Sequence, residues 1–181
     1  MIEGTVVGGP HEWLKDFVRD IPDFPKPGVV FKDITPLLSD KKAFSYTIDA
    51  IAHRFDRDQI DKVIGIEARG FMVAAPLAYR FTAGLIPVRK QGKLPWEVAT
   101  QSYELEYGTD HLEIHKDAIS PGERILVVDD VLATGGTARA CVDLAERCGG
   151  KVQGLAMIME LGFLGGRDRL TGYDLFSLIA Y

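Results

Sequence analysis

The stretch Val127-Val-Asp-Asp-Val-Leu-Ala-Thr-Gly-Gly-Thr137 decides how this chain reads. It continues Arg124-Ile-Leu-Val-Val128, whose unbroken apolar run is the pattern of a strand buried on both faces. Asp129 and Asp130 close that strand, and Ala133-Thr134-Gly135-Gly136-Thr137 opens a helical stretch. Glycines let backbone approach a ligand closely, and a helix start presents unpaired N–H groups with partial positive charge. Together these form a cradle for a phosphate, to which the hydroxyls of Thr134 and Thr137 add donors. The two carboxylates are wrong for phosphate but suit ligand hydroxyls or a divalent cation. A bare Thr-Gly-Gly-Thr would serve equally as a helix cap, and the glycine spacing fits neither a dinucleotide fold nor a P-loop. The acidic pair attached directly to an apolar strand makes the string specific.

Outward from this loop the chain alternates. Lys62 to Ile66 reads as a buried strand, Phe71 to Phe81 as a helix and Leu85 to Val88 as a short strand, followed by a loop through Trp96. Thr100 to Tyr107 and His111 to His115 predict a hairpin around Gly108. Gly136 to Cys148 predicts a helix, with strands at Lys151–Met159 and Tyr173–Ala180. Upstream, Phe44, Ile48, Ile51 and Phe55 are spaced for burial along a helix from Lys41 to Arg54. A first helix is expected over His11–Asp20, with Trp13, Leu14, Phe17 and Val18 on one face. Between them, Ile21–Pro36 holds four prolines and Gly28 and reads as an ordered but irregular crossing. Such alternation implies an α/β fold with a mainly parallel central sheet flanked by helices, whose ligands bind at the carboxyl ends of the strands. No repeat or linker divides residues 1–181, so one domain is expected.

Composition narrows the classes. Hydrophobic residues make up 46% and charged residues 26%, as in a globular chain, and the net charge of -5 argues against a broad nucleic-acid surface. No apolar run reaches the roughly 18 residues of a membrane span. The N-terminus lacks a basic region followed by an apolar stretch, so a cytoplasmic setting is expected. Cys141 and Cys148 lie seven apart in the predicted helix, about 10.5 Å along its axis. That exceeds disulfide reach, so both read as free thiols in a reducing compartment.

The string Val127–Thr137 resembles the signature of the type I phosphoribosyltransferases. The resemblance implies that family's fold, with a small hood and a mobile catalytic loop. It also implies that Asp129 and Asp130 hold the ribose hydroxyls of 5-phosphoribosyl 1-pyrophosphate, while Ala133, Thr134, Gly135, Gly136 and Thr137 wrap its 5-phosphate. A pyrophosphate leaving group needs cations where its charge develops. Arg69 (in GIEARGF) and Arg89, Lys90 and Lys93 (in PVRKQGKLP) follow predicted strands on the ligand edge and correspond to the family's pyrophosphate-binding residues. Arg69 is also expected in the catalytic set, and Ala68–Arg69 matches a peptide that is often cis in the family. Mg²⁺ is expected to be held mainly by substrate, with no direct protein ligand.

Three further strings resemble the members of that family that act on adenine. In Asp23–Pro36 (DFPKPGVVFKDITP), Phe31 would stack on the base, with backbone groups of Val30 and Lys32 reading its edge. Arg89–Pro95 (RKQGKLP) resembles their basic loop, with Gln91 where proline is more usual. Tyr103–Gly108 (YELEYG) resembles the catalytic loop, making Glu106 the group that manages the purine proton. Ala133 stands where 6-oxopurine enzymes carry an acid, and it suits the face of a stacked base. Carbonyls of the 161–166 segment are a further place for the exocyclic amine. The implied reaction converts adenine and the donor to AMP and pyrophosphate in purine salvage, in a homodimer. The alternatives are a phosphoribosyltransferase for another base such as xanthine, or a non-catalytic sensor of the donor.

Overall fold

The computed structural model describes residues 9–104 and 109–181. Its centre is a seven-stranded sheet in the order β5-β6-β4-β3-β7-β8-β9. β3 (Lys62–Ile66), β4 (Gly84–Lys90), β7 (Arg124–Leu132), β8 (Lys151–Glu160) and β9 (Leu175–Ala180) are mutually parallel, while β5 (Val98–Glu104) and β6 (Thr109–His115) form an antiparallel arm beside β4. This is the mainly parallel α/β arrangement that the alternation implies.

The apolar run of β7 explains why the sheet is covered on both sides. Leu126 and Val128 join one core cluster with α2 (Lys41–Arg54) and α3 (Gly70–Phe81). Ile125 and Val127, on the opposite face, join another with α4 (Gly136–Arg147). All four are fully buried, and each such side chain contributes roughly 1.5–3 kcal/mol of transfer free energy. The side-chain period of two turns one sequence run into two cores.

The two helices fix the site. β3 passes through α3 to β4 on one side, whereas β7 passes through α4 to β8 on the other. The crossovers diverge, which opens a crevice at the carboxyl ends of β3 and β7, the switch point where ligands of such sheets bind.

Three expectations need correction. The helix over His11–Asp20 is a 3-10 turn, Glu12–Phe17, followed by strand β1 (Arg19–Pro22). Trp13, Phe17 and Tyr46 pack as an aromatic group, so the apolar spacing reflects local packing rather than a helical stripe. The irregular crossing contains the end of that strand and all of β2 (Val30–Asp33), and the two strands pair antiparallel as a separate two-stranded sheet; a cis Phe24–Pro25 bond lies in the turn. Finally, β7 does not end before Asp129. Asp129, Val131 and Leu132 stay in register with Met157, Met159 and Glu160 of β8, because the longer partner strand carries the ladder onward.

Candidate active site

The crevice between β3 and β7 holds a cavity of about 300 Å³ lined by Arg69, Lys90, Asp129, Asp130 and Ala133–Thr137, together with Glu67, Ala68, Tyr103, Asp110 and Leu112. The structure therefore gathers the acidic pair, the glycine loop and two expected cations around one space. Arg89 and Lys93 are not among its lining residues, and Val30 and Lys32 lie in the two-stranded sheet. Glu106 lies outside the described residues.

The loop takes its shape from Gly135, whose φ of 78° is strained for any residue with a Cβ. α4 begins there with no side-chain cap, so no local side chain occupies its first N–H groups. Gly70, at the start of α3, sits against the same strand end. A Cβ there would meet Val128 O at 2.9 Å and Asp129 Oδ1 at 3.0 Å. Small residues thus bring two helix starts and an acidic strand end together.

The acidic pair is electrostatically loaded. Burial raises the Asp129 carboxyl well above the ordinary range, and the adjacent Asp130 charge adds to it. Asp130 is 3% exposed and is also raised by burial, against the pull of Arg69. Arg69 Nε lies 2.9 Å from Asp130 Oδ2, yet that oxygen accepts no well-aligned hydrogen bond. The contact is an ion pair at a buried carboxylate oxygen. The Asp130 N–H donates to Asp129 Oδ1 at 2.9 Å, which fixes one carboxylate against the other.

Arg69 also ties the small sheet to this centre. Its guanidinium carbon sits 4.8 Å from the centroid of the Phe31 ring, and Phe24 meets Phe31 edge-on at 5.2 Å. Phe31 is therefore next to the cavity through Arg69. Lys32 bonds Asp20 at 2.7 Å and lies 3.8 Å from the Tyr181 ring centroid, so its side chain fastens β2 to the C-terminus. In a two-stranded ribbon each strand leaves alternate backbone groups on an open edge, and Val30 and Lys32 share one phase.

The remaining cations arrive with partners. Arg89 donates to both oxygens of Glu67, at 3.1 and 3.2 Å, and the Lys90 N–H donates to Glu67 at 3.0 Å. Burial pushes the Glu67 carboxyl up, but these bonds outweigh it and leave it below its ordinary value. Lys90 Nζ lies 3.0 Å from Asp110 Oδ2, which also accepts from the Tyr103 hydroxyl at 3.2 Å. That partner raises the Lys90 ammonium, while burial raises the Tyr103 phenol. The Gly92 N–H donates to the buried Glu113 at 2.9 Å, which shapes the basic loop. Glu67, Tyr103, Asp110 and Glu113 were not singled out by sequence. Glu67 carried a signal, two residues before Arg69 at a strand end, and Tyr103 opened the YELEYG string; Asp110 and Glu113 carried none. The non-proline cis bond is Glu67–Ala68, one peptide earlier than Ala68–Arg69, where the chain first leaves β3.

Comparison with known proteins agrees with this geometry. A family described as "Phosphoribosyl transferase domain" matches residues 38–178. A protein of Maridesulfovibrio salexigens named adenine phosphoribosyltransferase is 56% identical over 166 residues, 92% of this chain and 98% of that one. The crystal structure of adenine phosphoribosyltransferase from Thermoanaerobacter pseudethanolicus superposes with a TM-score of 0.91 at 53% identity, covering 94% of this chain and 99% of that one. The Saccharomyces cerevisiae enzyme of that name, complexed with D-2,5-dideoxy-2,5-imino-altritol 1,6-bisphosphate and adenine, gives 0.88 at 37% identity, covering 93% and 98%.

Proposed function

The chain belongs to the phosphoribosyltransferase family, among the adenine phosphoribosyltransferases, and from that premise we propose how its residues divide the work. It is a transferase that moves the phosphoribosyl group of 5-phosphoribosyl 1-pyrophosphate to adenine, giving AMP and pyrophosphate in purine salvage. A purine nitrogen bonds to the anomeric carbon as the bond to pyrophosphate breaks, with the electron pair leaving on pyrophosphate and one proton leaving the purine. The protein's share of such a reaction is positioning, electrostatics and management of that proton.

Asp129 and Asp130 accept from the ribose hydroxyls, and the amides and hydroxyls of Ala133–Thr137 surround the 5-phosphate. Arg69 and Lys90 meet the pyrophosphate charge inside the cavity, with Arg89 and Lys93 reinforcing them. Phe31 stacks on the base, and backbone groups of Val30 and Lys32 read its edge. Ala133 leaves room for the base face without a carboxylate. Glu106 takes the purine proton. The observation that carries this assignment is the single cavity in which the acidic pair, the glycine loop, Arg69 and Lys90 meet.

Mg²⁺ belongs to the same proposal. It rides mainly on the pyrophosphate and ribose oxygens of the donor, with no direct protein ligand, as this ion commonly does with substrate phosphates. When bound, it neutralises part of the pyrophosphate charge. Residues 1–181 are proposed to act as one domain within a homodimer in the cytoplasm. Exposed Met72 and Tyr79 on α3, with Leu85 and Trp96, supply apolar surface for self-association. Both cysteines are free, as a reducing compartment keeps them, and no helix among the described residues is long and apolar enough to cross a membrane.

The test is to mix the protein with adenine, the donor and Mg²⁺ and to follow AMP and pyrophosphate. Both are expected, with adenine turning over faster than hypoxanthine, guanine or xanthine. Faster reaction with a 6-oxopurine would overturn the base assignment.

A further inference from the structure

Past the end of β8 the chain turns back over the glycine loop. The turn comprises two short 3-10 stretches, Gly162–Leu164 and Gly166–Leu170. Where they meet, Gly166 and the loop interlock without room for a side chain on either. A Cβ on Gly166 would run into the carbonyl oxygen of Ala133 and lie 2.8 Å from the amide nitrogen of Gly135. A Cβ on Gly135 would run into the carbonyl oxygen of Gly166. The obstructing atoms are backbone on both sides, so neither clash is relieved by a rotamer change.

The turn is itself anchored. Glu160, 6% exposed at the end of β8, accepts from Arg167 Nε at 3.0 Å and Nη2 at 2.5 Å, and from the Ser177 hydroxyl at 3.1 Å. Arg167 Nη1 also donates to the Leu175 carbonyl at 3.1 Å. A planar guanidinium held by two carboxylate bonds and a carbonyl has little freedom, and Gly166 is its immediate neighbour. Leu170, 2% exposed, joins the core cluster that contains α4 and fixes the far end of the turn.

We infer that Gly166 is a positioning residue for the donor's 5-phosphate: held by the Glu160–Arg167 pair, it forms a rigid back wall that sets where the Ala133 carbonyl and the Gly135 amide stand. The inference rests on the reading of Ala133–Thr137 as the phosphate cradle. It assigns a binding role to a turn that touches the cradle from outside.

The test is Gly166→Ala, read by calorimetric titration with ribose 5-phosphate, by KM for the donor and for adenine, and by thermal midpoint. A Cβ that runs into the Ala133 carbonyl oxygen forces the cradle to move by about an ångström, which is expected to weaken ribose 5-phosphate and raise the donor KM by at least ~10-fold. The adenine KM should rise at least ~3-fold less than the donor KM, since Gly166 meets the loop at the Gly135 amide as well as at Ala133. A folded variant with unchanged ribose 5-phosphate affinity would overturn the inference, as would equal rises in both KM values. If Gly166→Ala does not fold, Glu160→Gln carries the test. It keeps the shape of the anchor but removes its charge, and a roughly threefold loss of ribose 5-phosphate affinity is expected; no loss would overturn the inference. Parent protein that binds ribose 5-phosphate but makes no AMP would count against the adenine reading alone. Parent protein that fails to bind ribose 5-phosphate would overturn both.

Discussion

Along Ala133–Thr137 the groups offered to the cavity are mostly backbone, whereas across the cavity they are side-chain cations already engaged: Arg69 with Asp130, Arg89 with Glu67, Lys90 with Asp110. Backbone amides carry no net charge, so a cradle made of them stands empty at little cost and needs only the right φ at Gly135 and room at Gly166. Clustered cations repel one another and lose solvation, so they come with carboxylates that hold them in place. The phosphate side is thus rigid and sterically demanding, and the pyrophosphate side is electrostatic and exchangeable. Substitutions should separate the two by ligand.

The largest effect is expected from Gly135→Ala, which combines a strained φ with a backbone clash against Gly166. Donor KM should rise by about 100-fold, with a much smaller change for pyrophosphate in the reverse reaction, as steady-state kinetics in both directions would show. Next is Arg89→Met, which leaves the Glu67 carboxylate beside the cavity without its guanidinium. The pyrophosphate KM should rise roughly 10-fold, and Glu67→Gln in the same chain should recover part of it. Phe31→Leu removes a stacking face and the ring beneath Arg69. It should raise the adenine KM about fivefold and leave the donor KM nearly unchanged.

The smallest effect concerns a pair remote from the cavity. Asp61 lies far below its ordinary value through its bonds to Arg124, at 2.7 to 2.9 Å. A carboxylate depressed in the folded state adds stability above the unfolded value of 3.8 and loses it as pH falls below that point. Asp61→Asn should therefore flatten the acid limb of the thermal midpoint against pH and leave ligand affinities unchanged.

The contrast between the two sides also governs how much could be read from sequence. The phosphate side was legible because backbone geometry writes itself into residue type: Gly135 and Gly136 follow a pure apolar run, and Asp129–Asp130 are adjacent. The strand and helix periods around it placed β3, α3 and α4 within one residue and the start of β7 at Arg124, while the end of β7 came four residues later than the apolar run implied. The cation side was legible only as charge. That Arg89 belongs to Glu67, 22 residues away, and Lys90 to Asp110 depends on β3, β4 and β6 being neighbours, which no local spacing encodes. The contact of Arg69 with both Asp130 and Phe31 is hidden in the same way. At the N-terminus, Trp13, Leu14, Phe17 and Val18 imitated a helical stripe, although the turn ends at Phe17 and the chain goes on into a hairpin. Gly166 was legible only as part of the 161–166 segment and for its carbonyls; its packing against the backbone of Ala133 and Gly135, 33 and 31 residues earlier, is encoded in no local spacing.

The most direct test of this division is a pair of equilibrium titrations, ribose 5-phosphate alone and pyrophosphate with Mg²⁺, on the parent, Gly135→Ala and Arg89→Met. Each variant should lose about 10-fold or more in affinity for one ligand and under roughly threefold for the other, in opposite order. Parallel loss of both ligands in either variant would contradict the account.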